Sequence, residues 1–564
     1  MKAFKNKNWQ WIFLLTIICY LFNTGSAQAV SEALVPPSPF KGLNGLNFDN
    51  KGQLYVGSLA DQTIYRVDVV TGEYEVFIDR PDGQADDLVL TRNGKIFYTN
   101  VLSGEVRTLD PETGKIKAIA SGISVVNPIA QNESGRLFVA QSVIPPYDGL
   151  YEIDPTGLTP PRLIRNNPAK SLNAFDFGPD GLLYAPVQFT GEVVKINVDT
   201  GASEQVVSGL SNLSSVKFNS KGELFVQEYI TGRILQVDTT TGQIQSTIHL
   251  PPGLDNMAFG PNDLLYVTSY LDSILYEVNT EIRSLRKVLE SGGLTAPSGI
   301  AVYNDDLYVA DLYSYRVVDR KTGLVKQTLG GLTTPIQFAQ NVSVNDQNTI
   351  ISSWFSGLVH RVSRETGNVL NTYTGFGTPY DAVELSDGSI LVADCALGQI
   401  TQILHEAGTR RRTVAEGLSC PTGLALVDDS SVLVTEYLGN QLLRINLATG
   451  ERQVIAEDLS FPEGVAYHPD GIAVVADTGT QSVRAIDIGT GKSLTLKENL
   501  PIGLPGFLNG QPPYFLTGIA IADDTVYITG DVDNSIRTVK LDSKRFAIPE
   551  ASSQAGFMSW SKNY

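Results

Sequence analysis

The stretch FPEGVAYHPDGIAVVADTGTQSVRAIDIGTGK, residues 461–492, consists of short apolar runs separated by turn signals. Apolar and β-branched runs that are divided by Gly, Pro, Asp and Asn indicate antiparallel β-strands. One carboxylate, Glu463, stands directly before the first run. A charged residue at the start of a strand that is otherwise suited to burial needs an explanation. Whether it has a structural or functional role depends on whether the pattern recurs elsewhere in the chain.

The pattern occurs twelve times as a polar residue, a small residue, an apolar run, a turn and a second apolar run. Two further copies are NGLNFDNKGQLYVGS at 44–58 and NAFDFGPDGLLYAPV at 173–187. Nine of the eleven spacings between successive copies lie between 41 and 43 residues, which indicates a repeat architecture. We call the first, polar residue of each copy its anchor; the anchors are Asn44, Asp86, Asn127, Asn173, Ser214, Asp255, Ser298, Gln340, Asp381, Thr422, Glu463 and Thr517.

Each copy contains four strand-like segments, which in the fifth copy are SVKF, ELFVQEY, RILQVD and IQSTIHL. Four such strands per repeat are typical of a β-propeller blade, and a ring usually holds about 4–8 blades. We therefore predict an all-β fold of two tandem six-bladed β-propellers with about twelve four-stranded blades. The predicted rings occupy 42–294 and 295–545, and a split into seven and five blades is the alternative.

The first 29 residues have the features of a cleaved signal peptide. Three lysines precede the apolar run WIFLLTIICYLF, and Ala27-Gln28-Ala29 supplies a small-residue cleavage pattern. The run is short for a membrane span. The sequence predicts a periplasmic or secreted protein without a membrane span, with an N-terminal segment at 30–41 and a C-terminal tail at 546–564.

The chain is acidic, with a formal net charge of −18. This charge disfavours nucleic acid as a partner, since nucleic-acid binding requires a basic surface. An acidic chain is compatible with cation binding, although acidity also serves solubility.

The units GPDGLLYAP at 178–186, SDGSILVADCALGQITQI at 386–403 and HPDGIAVVADTGTQSVRAID at 468–487 resemble those of SMP-30/gluconolactonase-like and NHL-type six-bladed propellers. The likeness extends to the streptogramin lyase family and covers two tandem copies over most of 42–545. Members of such families are lactonases, lyases or non-catalytic binding proteins, so that the resemblance implies the fold more strongly than the activity.

The innermost strands of a propeller surround a central channel, and we expect the anchors to point into its mouth. In the first ring every anchor offers oxygen, the ligand atom that Ca²⁺ and Mg²⁺ prefer. The alternative is that these polar side chains only hold the loop backbone at the strand starts. The first-ring residues predicted as cation ligands are Asn44, Asp86, Asn127, Asn173 and Asp255, with Ser214 as the sixth anchor.

The family resemblance implies a divalent-cation site in the second ring. Glu463 resembles the family's glutamate and Asp381 its aspartate, which also acts as the general base, while Gln340 stands where the family has asparagine. The chain order of these residues differs from that of the family by a circular shift. The other anchors of this ring, Ser298, Thr422 and Thr517, are predicted to contact the substrate.

A second tier of acids follows the inner strand pairs, and it includes Asp394, Glu436 and Asp477. These acids are either substrate contacts or caps on turn backbone. Tyr514 lies in an insert that either covers the second channel or packs between the rings. Cys395 and Cys420 are a candidate disulfide, and the alternative is two buried thiols.

No histidine occupies an anchor, which disfavours a histidine-ligated zinc site or a Ser–His pair. Two functions remain. The first is a cation-dependent lactonase or hydrolase with Asp381 as its base. The second is a non-catalytic binding or scaffold protein for a small-molecule, glycan or peptide ligand.

Overall fold

A computed structural model describes residues 33–91, 94–110, 113–142, 149–166, 171–330, 334–336, 338–404, 408–506 and 514–546. These residues form twelve four-stranded antiparallel sheets, which confirms the predicted all-β fold. The two helices among them are short 3-10 turns at Thr478–Thr480 and Ser543–Phe546. The signal peptide lies outside the described residues. The first strand among the described residues is β1 (Ala33–Val35).

Blades 1 to 6 form the first ring, which closes because the inner strand of blade 1 contacts the inner strands of blades 2 and 6. Strands are given from the channel outward. The blades are β2 (Leu43–Phe48), β3 (Leu54–Ser58), β4 (Thr63–Val67), β5 (Tyr74–Ile78); β6 (Leu88–Leu90), β7 (Ile96–Asn100), β8 (Glu105–Leu109), β9 (Ile116–Ala120); β10 (Val126–Gln131), β11 (Leu137–Gln141), β12 (Leu150–Ile153), β13 (Arg162–Arg165); β14 (Asp176–Phe177), β15 (Leu183–Val187), β16 (Glu192–Ile196), β17 (Ser203–Val207); β18 (Leu213–Phe218), β19 (Leu224–Glu228), β20 (Arg233–Val237), β21 (Ile244–His249); and β22 (Leu254–Phe259), β23 (Leu265–Ser269), β24 (Ile274–Asn279), β25 (Ser284–Leu289).

Blades 7 to 12 form the second ring, in which the inner strand of blade 7 contacts those of blades 8 and 12. The blades are β26 (Pro297–Tyr303), β27 (Asp306–Asp311), β28 (Ser314–Asp319), β29 (Val325–Gly330); β30 (Asn341–Val344), β31 (Asn348–Ser353), β32 (Leu358–Ser363), β33 (Val369–Tyr373); β34 (Pro379–Glu384), β35 (Ile390–Asp394), β36 (Gln399–Ile403), β37 (Arg411–Glu416); β38 (Pro421–Asp428), β39 (Ser431–Glu436), β40 (Gln441–Asn446), β41 (Arg452–Ala456); β42 (Pro462–His468), β43 (Ile472–Asp477), β44 (Ser482–Asp487), β45 (Ser493–Lys497); and β46 (Ile519–Ala522), β47 (Thr525–Gly530), β48 (Ser535–Lys540), β1.

The outer strand of blade 12 comes from the start of the chain. Ala33 pairs with Arg537 and Val35 with Ile536. The sequence analysis assigned 30–41 to neither ring, whereas the structure places β1 in the second. From β1 onward, the described chain leads from the second ring to the first and returns before β26. Pairing with β1 covers the outer edge of β48, which would otherwise present unpaired backbone groups.

The core lies between neighbouring blades. Every residue of β19 is buried, because both faces of this strand pack against adjacent sheets. The outer strand β21 is exposed or half-buried except at Ile248, which is buried. Apolar residues from successive blades form one cluster after another around each ring, such as the cluster of Val193, Val216 and Leu235. In the part of the chain that the structure describes, no helix is long and apolar enough to cross a membrane.

The two rings contact each other through blades 1, 6, 7 and 12. Ala60 of the first ring packs in an apolar cluster with Leu312, Leu504 and Phe515 of the second. Arg316 of blade 7 forms an ion pair of 3.2 Å with Asp272 of blade 6. These contacts bring the channel-mouth loops of the first ring against those of the second.

Candidate functional site

Several anchors stand at β-bulges near the starts of the inner strands. In blade 5 the register changes between Leu213 and Ser215, which leaves Ser214 as the extra residue. In blade 10 the same change isolates Thr422, and in blade 1 the irregularity contains Asn44. A bulge redirects one side chain out of the strand pattern. This explains how a polar residue reaches the channel from a strand that is otherwise buried.

Side chains of three neighbouring blades are linked at the first channel mouth. The Asn256 Nδ2 group donates a hydrogen bond of 3.0 Å to Asn44 Oδ1. The Asn44 Nδ2 group donates one of 3.1 Å to Asp86 Oδ1. Asn173 and Ser214 instead accept hydrogen bonds from their own blades. Asn173 Oδ1 accepts the Ala174 N–H, and Ser214 Oγ accepts a hydrogen bond from the Gln227 side-chain amide.

Three oxygens at this mouth are buried without a hydrogen-bond partner among the described residues. They are Asp86 Oδ2, Asn127 Oδ1 and Asn256 Oδ1. Asp86 is only 4% exposed. An unpaired buried polar atom is costly, and such atoms call for a water, an ion or a ligand. These three atoms are oxygens, the ligand atoms that suit a hard divalent cation.

The electrostatics of the mouth point the same way. Burial, followed by the negative charges of Asp255 and Asp87, raises the pKa of Asp86 well above its ordinary value. Burial and then Asp87 raise the pKa of Asp255 to about 7. A bound cation would reverse these shifts by stabilising the ionised carboxylates.

Asp87 follows an anchor directly and has a different role. Its Oδ1 accepts the Leu88 N–H at 2.8 Å, and its Oδ2 accepts the Ile129 N–H of the next blade at 3.1 Å. Asp87 thus joins adjacent inner strands. At the equivalent position in blade 1, a Cβ on Gly45 would lie 2.5 Å from the Asp87 Cα. At the position after the anchor, Asp87 and Gly45 thus face the neighbouring inner strand, whereas Asn256, at the same position in blade 6, reaches Asn44 at the mouth.

Three tyrosines that the sequence analysis did not single out surround the first mouth. Burial and then the charge of Asp255 raise the pKa of Tyr229. Tyr270 of blade 6 packs against Tyr313 of blade 7, with 3.8 Å between the ring centroids. All three tyrosines lie in the turn that follows the second strand of their blade. This shared position in the repeat is the sequence signal that could have identified them.

The second channel mouth is organised differently. Glu463 is 1% exposed, its Oε2 accepts the Thr517 N–H at 2.5 Å, and its Oε1 accepts the Thr478 hydroxyl at 3.3 Å. Burial and then Asp531 raise the pKa of Glu463 well above its ordinary value. Asp531 was also missed; it directly follows β47, one position beyond the register that Asp477 occupies at the end of β43.

Asp381 does not occupy the channel position of blade 9. The register change in this blade isolates Tyr380, so that Asp381 corresponds to Asp87. Its Oδ1 accepts the Ala382 N–H and its Oδ2 accepts the Leu424 N–H of the next blade, both at 2.7 Å. Burial raises the pKa of Asp381 to about 7. The carboxyl group joins two inner strands, a placement that does not suit the general base expected from the resemblance.

The remaining second-ring anchors also make local contacts. Ser298 Oγ accepts the Leu516 N–H at 2.8 Å, and the Thr422 hydroxyl contacts the Pro462 carbonyl oxygen at 3.2 Å. The free buried atom of Gln340 is Nε2, a donor that cannot bind a cation. These residues therefore do not fit a cation in the second ring.

The second-tier acids accept backbone N–H groups of the loops that lead to the inner strands. Asp394 accepts those of Gly377 and Thr378 at 2.7 and 3.0 Å. Glu436 accepts the Ser419 N–H at 2.7 Å, and Asp477 accepts the N–H of residue 460 at 2.6 Å. This geometry corresponds to the capping alternative.

An apolar group covers the second mouth. Tyr380, Cys420, Tyr437 and Leu516 are buried together, with Trp354 and Cys395 packed against them. Cys395 and Cys420 form a disulfide between blades 9 and 10. Tyr514 stacks on Trp354 with 4.4 Å between ring centroids and also packs at the inter-ring cluster, so it serves both roles considered for the insert.

Comparisons with known proteins give structural likenesses only. No family model matches the chain, and no curated protein matches it. A streptogramin B lyase structure is 18% identical over 50% of this chain and 94% of its own, with a TM-score of 0.36. The extracellular domain of a hybrid two-component system from B. thetaiotaomicron is 12% identical over 88% of this chain and 76% of its own, with a TM-score of 0.33.

Proposed function

We propose that this chain is an exported, cation-dependent binding protein whose Ca²⁺ or Mg²⁺ site lies at the mouth of the first propeller channel. The observation that carries the proposal is the group of buried, unpaired oxygens on Asp86, Asn127 and Asn256. Asp86 and Asp255 supply negative charge, and the amide oxygens supply neutral ligands. The bound cation would offset the two carboxylates and leave coordination positions for oxygens of a small-molecule, glycan or peptide ligand.

A binding function is favoured over the lactonase that the resemblance implies. The two carboxyl groups expected to serve in the second ring, those of Glu463 and Asp381, are held by backbone and hydroxyl hydrogen bonds. Among the described residues, the first mouth offers oxygens for a cation but no histidine beside them. Export is supported by the lysines and the apolar run of residues 1–29.

The test is calorimetric titration of metal-free protein with Ca²⁺ and with Mg²⁺. The wild type is expected to bind about one ion, and Asp86→Asn is expected to weaken binding at least tenfold by removing a charged ligand. Asp381→Asn is the matched control, since it changes a buried aspartate of the second ring and should leave cation affinity unchanged. Absence of cation binding, or equal loss in both variants, would refute the site. Lactone hydrolysis that depends on Asp86 would refute the non-catalytic assignment.

A further inference from the structure

We infer that the second ring contributes Tyr313 as a lid over the first-ring site, so that the binding site is composite. This inference rests on the proposed cation site. Tyr313 lies in the turn between β27 and β28, and its ring leaves blade 7 to pack on Tyr270 of blade 6. A residue of one propeller thus reaches the channel mouth of the other.

The approach of the two tyrosines depends on a glycine where the chain crosses between the rings. Gly42 has a φ of +69°, and a Cβ at this position would lie 3.3 Å from atoms of both Tyr270 and Tyr313. The Gly42 N–H donates a hydrogen bond of 2.8 Å to Ser273 Oγ in the same blade as Tyr270. Gly42 therefore forms a floor against which the aromatic pair packs.

The turn that carries Tyr313 is held firmly in place. Leu312 has a φ of +44°, a left-handed conformation that a leucine adopts only when its surroundings enforce it. It is buried and forms an isolated bridge with Ala339. Arg316 secures the same blade to the first ring by donating to the Leu271 carbonyl oxygen at 3.0 Å. The backbone is thus fixed both before and after Tyr313. This arrangement suits a lid whose position is set before a ligand binds.

Tyr313 lies within the electrostatic field of the site. Burial raises the pKa of its hydroxyl group well above the ordinary value; the hydrogen bond with Tyr270 opposes this shift, and Tyr229, Asp255 and Asp86 add to it. An aromatic ring packed beside Gly42, two residues before Asn44, excludes water from this edge of the mouth, which strengthens the attraction between the carboxylates and a cation. The lid should therefore slow cation release and limit the size of the ligand that reaches the ion.

The experiment uses Tb³⁺ as a luminescent substitute for Ca²⁺ in the full-length protein. Nearby tyrosines should sensitise Tb³⁺ emission, and Tyr313→Leu is expected to lower that emission and to accelerate ion release to a chelator about tenfold. Tyr313→Phe retains the aromatic cover and should release the ion within about twofold of the wild-type rate. Tyr315→Phe, a buried tyrosine of the same blade that bonds Thr349, is the control and should change neither readout.

The outcomes separate the two proposals. If the wild type binds neither Tb³⁺ nor Ca²⁺, the cation site itself is refuted. If the ion binds but Tyr313→Leu has wild-type emission and release, the lid is refuted and the cation site stands. Should Tyr313→Leu fail to fold, deuterium exchange of the wild type decides: Ca²⁺ must slow exchange in the 312–316 turn, and unchanged exchange there overturns the lid.

Discussion

Replacing Lys41 with methionine is expected to remove a pH dependence of stability that arises where the two rings meet. Lys41 is 0% exposed, and its Nζ donates a hydrogen bond to Asn534 Oδ1 in blade 12. Burial lowers the pKa of Lys41 from 10.5 to about 8, while the charges of Asp61 and Asp531 oppose the shift. One carboxylate belongs to the first ring and the other to the second.

The magnitude follows from the two pKa values. The unfolded chain holds the Lys41 proton up to about pH 10.5, whereas the folded protein loses it near pH 8. Between these limits the unfolded state binds more protons, so the contribution of Lys41 makes the folded state more stable as pH rises. At about 1.36 kcal/mol per pKa unit, the gain between about pH 7 and pH 9.5 is about 2 kcal/mol.

The assay is urea unfolding of the wild type and Lys41→Met at several pH values. Subtracting the two free energies of unfolding cancels the titration of groups that do not interact with Lys41. Between about pH 7 and pH 9.5, the free energy of unfolding of the wild type should rise by about 2 kcal/mol relative to that of Lys41→Met. A difference that stays constant within about 0.5 kcal/mol would refute the burial of a charged lysine between the rings.

Three further predictions concern the second ring. Val35→Asp should release β1 from β48, because Val35 is fully buried. Deuterium exchange should then become faster in Ser535–Lys540 and stay unchanged in blade 5. Unaltered exchange in Ser535–Lys540 would contradict the pairing. Removing the Cys395–Cys420 disulfide, which spans 25 residues, should lower the free energy of unfolding by about 3.5 kcal/mol, and a reductant should bring the wild type to the same value. Glu463→Gln should gain stability relative to the wild type as pH rises above 4.5, because the folded state holds the Glu463 proton more tightly than the unfolded chain; a gain on lowering the pH would oppose this assignment.

The blades were predictable because their determinants are local. Turns such as NSKG, residues 219–222, close by themselves: Asn219 Oδ1 accepts the Lys221 and Glu223 N–H groups, and Gly222 adopts a φ of +74°. Apolar runs on either side then pair as hairpins. Local signals of this kind recur in every copy, so the sequence revealed the strands and their grouping.

The site was predictable only in part, because the anchors depend on where each bulge falls. In blade 9 the bulged residue is Tyr380, and choosing the polar neighbour moved the prediction by one residue to Asp381. A shift of one position in a strand turns the side chain to another face. The first-ring anchors remain a prediction as cation ligands, and the unpaired oxygens on Asp86 and Asn127 became visible only with the side chains in place.

The sequence by itself determined that the chain repeats one four-stranded unit, since strand periodicity and turn chemistry act over a few residues. The tertiary structure alone decided which distant groups meet. Lys41 and Asn534 are separated by 493 positions, and the ring of Tyr313 lies over a mouth built mostly from residues before 260. Contacts of this kind follow from ring closure and ring docking, which depend on packing summed over the whole chain rather than on any local pattern.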